Sequence, residues 1–289
     1  MKHPAREILV SEVCGTKESN THEYAEKRIC TGQSGSLERD KCPCYRNPNR
    51  KPRGSKVLRC FRSAWINFAA VPEGRIEVPA NQKKDAVRYG VHRVLPLVES
   101  RVSFPVNIWE LDNIDRGAKD ADLESVVDAA RKIAAFEDGA VFKGFKAAGI
   151  VGINDAVKGA KPVDLTLDRD VLVDGISEGL LRLRKDGIGS GANLVVNPAL
   201  WKFLAHVVPG GSLASIVRKQ IGGRIIYSEA VDGALLVADR DGDLELSLGQ
   251  DFAIGYEGHD SQKVDLFITE SFTFRVIAPE AVVPFTVKA

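Results

Sequence analysis

The chain has 289 residues, 44% hydrophobic and 27% charged, enough apolar material for one large domain or two ordinary ones. Its formal net charge of +1 argues against a global field that recruits nucleic acid or a membrane surface. No apolar run of about 18 residues spans a bilayer and no opening stretch fits a secretory signal, so a cytoplasmic protein is expected.

The first sixty residues differ from the rest. They hold all five cysteines, 13 Lys and Arg against 7 Asp and Glu, and only 18 apolar residues. The remainder carries 27 basic and 32 acidic residues, a net of −5. Residues 1 to about 56 show no sustained period of 3.6 or 2, and ERDKCPCYRNPNRKPRGSK has the composition of a segment that does not bury enough surface to order itself. A short helix in AREILVSEV would be marginal alone. The cysteine spacing, C-x11-C-x-C-x15-C from Cys30 to Cys60, lacks the close pairs of a structural zinc site, so free thiols are expected.

From Trp65 the signals sharpen. Arg75–Val78 alternates like a strand, and ANQKKD follows as a loop. The stretch from Ala86 to Leu111 is rich in β-branched residues, broken by Pro96 and Pro105, and reads as extended. The spacing then predicts one long helix over residues 122–148, with Asp122 at its start and Gly149 at its end. Leu123, Val126, Val127, Ala130, Ile133, Ala134, Val141 and Phe145 share one face, and the length is roughly 40 Å. A second amphipathic helix covers DVLVDGISEGLLRLRKDG, with Leu172, Ile176, Leu180 and Leu183 inward. NLVVN is a buried strand, Asn197 and Pro198 start another helix, and SLASIVRKQ gives one more. RIIYS, ALLVAD, LELSL, FAIGY, KVDLFIT and SFTFRVI are strands. Helices and antiparallel strands without βαβ alternation indicate an α+β fold.

Tests for chemistry return little. Glu110, Asp112 and Asp115 cluster in IWELDNIDRG, but no histidine joins them and no calcium-loop spacing holds. A charged subunit contact, paired through Arg116 or Arg101, is the better reading, with Trp109, Leu111 and Ile114 packed inward. DRDGDLE departs from a calcium loop and reads as a hairpin turn. No G-x-S-x-G elbow, P-loop or G-x-G-x-x-G is present, and the five histidines are scattered. No catalytic residue and no metal ligand is expected.

Four co-linear blocks carry a family resemblance: IWELDNIDRG, IAAFEDGAVFKG, RKDGI, and LGQDFAIGYE followed by LFITESFTF. From about Trp65 onward the chain resembles an encapsulin, the nanocompartment shell proteins once grouped with linocin-type bacteriocins. The resemblance implies the tailed-bacteriophage major capsid (Hong Kong 97-like) fold with P domain, E-loop and A domain. On that template residues 1–60 are a divergent arm and 61–90 the E-loop region. Residues 91–150 become the P domain with its spine helix, 151–237 the A domain, and 238–289 the returning P-domain strands. It further implies self-assembly into an icosahedral shell around a cargo enzyme held through a short C-terminal targeting peptide. That cargo would be of the ferritin-like iron-storage or dye-decolourising peroxidase type. A phage-derived capsid component or a bacteriocin-like protease are the alternatives.

The same resemblance assigns surfaces. Lys185, Asp186, Gly187, Ile188, Gly189, Ser190, Gly191 and Ala192 would line the five-fold pore, with glycines making the loop mobile. Trp109, Glu110, Asp112, Asp115 and Arg116 would lie at a subunit interface. Some members hold a flavin against a tryptophan after the E-loop. The matching position is Tyr89, beside Arg88, although a partly buried strand aromatic explains that tyrosine without any cofactor.

One departure is large. Members begin with an amphipathic helix on the inner shell wall, followed by D-x-x-G-P-x-G-W. Here the stretch reads RCFRSAW, and nothing in residues 1–60 resembles the helix that helps form the cargo groove. A shifted reading frame upstream of Trp65 would produce this, as would a replaced arm, and the Cys-, Arg- and Pro-rich texture fits the shifted frame.

Overall fold

The computed structural model describes residues 59–62, 68–82, 87–208 and 211–288, the first of these by backbone alone. The expectations for residues 1–58, including free thiols and a marginal helix, lie outside the described residues.

Two sheets organise the body. The first has the order β1-β11-β12-β4, formed by Arg59–Arg62, Leu244–His259, Lys263–Val276 and Val98–Asn107. The second has the order β5-β13-β10-β6-β9, formed by Val163–Thr166, Val282–Lys288, Ala234–Ala238, Ala192–Val196 and Ile225–Tyr227. Pairing is antiparallel except for β1 with β11, β5 with β13 and β6 with β9. Two small hairpins stand apart, β2 (Ala70–Glu77) with β3 (Val91–Pro96) and β7 (Val207–Val208) with β8 (Gly211–Ser212).

Six α-helices join these strands among the described residues: α1 (Ile108–Asp115), α2 (Glu124–Lys143), α3 (Ile153–Ala156), α4 (Arg169–Lys185), α5 (Pro198–Leu204) and α6 (Leu213–Ile221). Their starts are legible. Asp168 accepts from Asp170 and Val171, Asn197 from Leu200, and Ser212 from Ser215, so each satisfies a backbone N–H of the first turn.

The buried strands β6, apolar but for Asn193, and β10, apolar throughout, are covered on both faces, as such runs demand. Leu194, Val196 and Leu236 meet Leu172, Ile176 and Leu183 of α4, with α5 and α6 alongside. On the other face Val195, Leu235 and Val237 meet Ala140–Phe142 of α2, together with Leu246, Phe272 and Phe274 of the first sheet. A third cluster lies under the first half of α2, where Ala129, Ala130 and Ile133 cover Phe104, Val106 and Ile268. The long helix is thus a strut with one sheet under its start and both under its end.

Several expectations need correction. The spine is 20 residues, Glu124–Lys143, roughly 30 Å long instead of 40. Gly144 ends it at φ +82°, and Gly149 instead closes a 3-10 turn over Lys146–Ala148. A Cβ on Gly152 would stand 2.2 Å from the Gly144 nitrogen, so two backbones cross where the helix was expected to continue. Val127 is exposed, and Ala140 and Phe142 are buried because residues of both sheets pack against the last turns of the helix. IWELDNID is not extended but the helix α1, started by Asn107, whose side chain accepts from the Trp109 N–H at 2.9 Å. FAIGY belongs to the same strand as LELSL, and KVDLFIT to the same strand as SFTFRVI. The strands missed are β1, β5, β7, β8 and β13. The last joins the second sheet, so the C-terminal strand does not return with β11 and β12.

Candidate assembly surfaces

The arm comes first, because its composition is hardest to explain in a free molecule. β2 and β3 form a two-stranded sheet from Ala70↔Pro96 out to Glu77↔Val91. Its root is seated: Val71 is buried, and Leu97 N–H donates to Ala69 O at 2.9 Å. Its outer part is not, with Ile76, Val78, Val87, Tyr89, Val91 and Val94 each at least half exposed. A lone two-stranded hairpin is marginal in water, and both faces of this one carry uncovered aliphatic groups. The arm extends to Pro96, beyond the residue-90 boundary expected from sequence.

Arg88 and Tyr89 lie on this arm, both exposed, in the loop entering β3. Tyr89 is therefore not a partly buried strand aromatic. Gln82 clamps its backbone, donating through Nε2 to Tyr89 O at 2.6 Å and accepting from its N–H at 3.0 Å. The ring at 60% exposure is free to stack.

Helix α1 presents the second surface. Trp109 is 70% exposed, contrary to the expectation that it packs inward, while Leu111 is partly buried against the Phe104–Ile268 cluster. The acidic residues do not gather around an arginine. Glu110 is half-buried and acts within the chain: Oε1 accepts from Asn113 at 3.2 Å and Oε2 from the Asp122 N–H at 3.0 Å. It thereby ties α1 to the entry of α2, and Asp122 in turn accepts from the Glu124 N–H. Arg116 donates to Asn113, and Arg101 pairs with Glu99 while lying 4.1 Å from the Phe267 ring centroid. Asp112 is half-buried, and Asp115 and Arg116 are exposed. No group of three or more His, Cys, Asp or Glu among the described residues is arranged to hold a metal.

The third surface is the loop after α4. Gly187 N–H donates to Arg184 O and Ile188 N–H to Leu183 O, with Gly187 at φ +78°. These are the paired bonds of a Schellman motif, and its apolar contact is Ile188, only 2% exposed. Ile188 and Ala192 therefore face the core and line no pore. Lys185, Asp186, Gly187, Gly189 and Ser190 are exposed, whereas Gly191 is held by Asp239 N–H to its carbonyl at 2.7 Å and by close approach to Gly222. The exposed part of the loop is shorter and less mobile than its glycine content suggests. None of these positions was separable from sequence except through the helix stop, where Gly187 followed by Ile188 is the Schellman signature.

An arm with an uncovered outer part, a strut helix packed on two sheets, and a short exposed loop after α4 are the features to set beside known proteins. A family model described as the encapsulating protein for peroxidase matches residues 51–273, starting upstream of Trp65. The chain is 41% identical over 223 residues to the type 1 encapsulin shell protein of Rhodospirillum rubrum, covering 75% of this chain and 79% of that protein. To the type 1 encapsulin shell protein of Rhodococcus erythropolis it is 36% identical over 232 residues, covering 80% and 87%. The chain belongs to this encapsulating-protein family. Among solved structures it resembles a virus-like particle from Pyrococcus furiosus, with a TM-score of 0.56 at 16% identity over 80% of this chain and 90% of that one. It also resembles a chain from Mycobacterium phage Bobi, with a TM-score of 0.53 at 15% identity over 92% and 99%. At those identities the likeness concerns the fold, and the fold is that of the capsid proteins.

Proposed function

We propose that this chain is a structural subunit, not an enzyme, whose copies close into a hollow icosahedral shell in the cytoplasm. The observation that carries the reading is the β2–β3 arm, which exposes Ile76, Val78, Val91 and Val94 on a ribbon too thin to hold them alone. A second copy that covers the arm removes that apolar surface from water, at roughly 25 cal/mol per Å². Trp109 is the second anchor, since large exposed aromatics dominate binding energy where a partner encloses them. Asp112, Asp115 and Arg116 around it set register more than affinity.

The enclosed cargo, in this reading, is a peroxidase of the dye-decolourising type or a ferritin-like iron-storage protein, delivered by a short C-terminal peptide. The family description, an encapsulating protein for peroxidase, supports a peroxidase cargo. An open strand edge supports docking of an extended peptide: β1 covers β11 only from Glu245 to Leu248, and among the described residues no strand pairs with the rest of that edge. Ile254 and Tyr256 are exposed on this outer half. The exposed tip of α4, with Lys185 and Asp186 beside Gly189 and Ser190, would form a narrow, nearly neutral five-fold opening. A flavin stacked on Tyr89 beside Arg88 remains part of the proposal as an accessory ligand.

Co-expression with each cargo type, with and without its terminal peptide, tests the reading. Hollow particles that retain only the peptide-bearing cargo support it. Particles that form and retain neither cargo would confine the function to the shell.

A further inference from the structure

The outer arm and helix α1 lie at opposite ends of one path of extended chain. β3 runs through Leu97 into β4, and β4 ends at Asn107, which caps α1, so roughly 50 Å of strand separates Val91 from Trp109. Each end holds surface that its own chain leaves uncovered. On the arm Ile76, Val78 and Val91 are more than half exposed. Arg75 and Arg88 are exposed beside them in sequence and meet no carboxylate among the described residues, where the arm's ion pair is Arg93 with Glu73. At the far end Trp109 and Val127 are exposed on α1 and the first turns of α2, two elements that Glu110 ties together. Asp115, Asp120 and Glu124 are exposed on the same two elements and the loop between them. They meet no cation among the described residues, where the ion pair formed is Asp128 with Arg131.

The charges at the two ends are opposite. The arm, residues 70–96, carries five Lys and Arg against three Asp and Glu, a net of +2, whereas residues 108–128 carry two against seven, a net of −5. We propose that the outer arm of one copy docks on α1 and the entry of α2 of the next copy. Its aliphatic groups lie against Trp109 and Val127, and its Arg75 and Arg88 face Asp115, Asp120 and Glu124. This docking rests on the shell reading above and names the surface that receives the arm. Opposite charge steers the encounter and fixes its orientation, while the apolar groups leave water. Donor and receiver are different patches of one chain, so the contact is head-to-tail, the kind that forms rings when its rotation closes. An arm laid on a second arm would set one net positive segment against another and leave Trp109 uncovered.

Light scattering of the full-length chain tests the pairing by charge reversal. Arg75→Glu with Arg88→Glu, and separately Asp115→Lys with Asp120→Lys, change exposed side chains, so the thermal midpoint should stay that of the wild-type chain. Assembly of each double variant should fall at least about tenfold, because like charges then face each other. All four changes in one chain restore the complementarity and should recover most of the assembly. Double variants that assemble like the wild-type chain would overturn the pairing and leave the shell reading standing. Loss in both doubles without rescue in the quadruple variant would also overturn it, in favour of a different receiving surface. Should a reversal prevent folding, salt carries the test on the unaltered chain. Its initial assembly rate should fall severalfold between about 0.05 and about 0.5 M salt, and a rate that does not fall would contradict the docking. A wild-type chain that stays a monomer would remove the shell reading and this contact with it.

Discussion

Gly144 has φ +82° and ψ 166°, a backbone region that side chains resist, and the Gly152 backbone lies against it. Replacing Gly144 with Ala combines that strain with a clash 2.8 Å from Gly152 N and Ile150 O. A loss of about 1–3 kcal/mol is expected, read as a lower urea midpoint with an unchanged slope. Glu110 is a different kind of residue, a latch inside one chain. Glu110→Ala removes two acceptors at a half-buried site and should cost about 1 kcal/mol, again by urea titration, with no metal dependence. Trp109 should show the reverse pattern. At 70% exposure, Trp109→Ala leaves monomer stability within about 0.5 kcal/mol while sharply reducing assembly measured by light scattering. At this scale sequence was a poor guide. The cluster IWELDNIDRG was conspicuous, yet which of its members faces outward depends on α1 being a helix, and the β-branched residues before it pointed to a strand.

Elements were legible wherever one periodic signal lay between two clear caps. α4 is the plainest case: the stretch from Asp170 with Leu172, Ile176 and Leu183 inward is the helix, those three are buried, and the structure adds Asp168 as its cap. The spine was legible in kind but not in length, because its end is set by a backbone crossing with Gly152 that no local period contains. β13 was missed because Pro284 interrupts its run, a residue that usually argues against an inner strand. β5 is four residues long and gives a window too short to read. The arm yields a prediction at this scale. Val91→Asp together with Val94→Asp places charge on side chains already in water, so the thermal midpoint of the free chain should not move. Shell formation should be abolished, as followed by size-exclusion chromatography.

The whole molecule divides its labour between three buried apolar clusters and several surfaces that make sense only against other copies. The cores account for folding: Phe272, Phe274, Ile133 and Leu172 are all less than 2% exposed. The outer part of the arm, Trp109, and Ile254 and Tyr256 on the outer half of β11 stay exposed outside them. Family and fold class were legible from four short blocks in their order along the chain, because a shared architecture constrains many separated residues at once. The surfaces were legible only in part, since what a residue faces in a shell is set by other copies, which no single-chain pattern encodes. The family match begins at residue 51, and strand β1 at Arg59–Arg62 pairs with β11, so both the sequence likeness and the described fold reach upstream of Trp65.

Electron cryomicroscopy of the purified full-length chain tests the central claim most directly. Closed hollow particles, in which the β2–β3 arm of each copy lies on a neighbour with Ile76, Val78, Val91 and Val94 covered, are the expected result. A stable monomer at concentrations where the arm stays in water, or particles whose arms touch no neighbour, would contradict it.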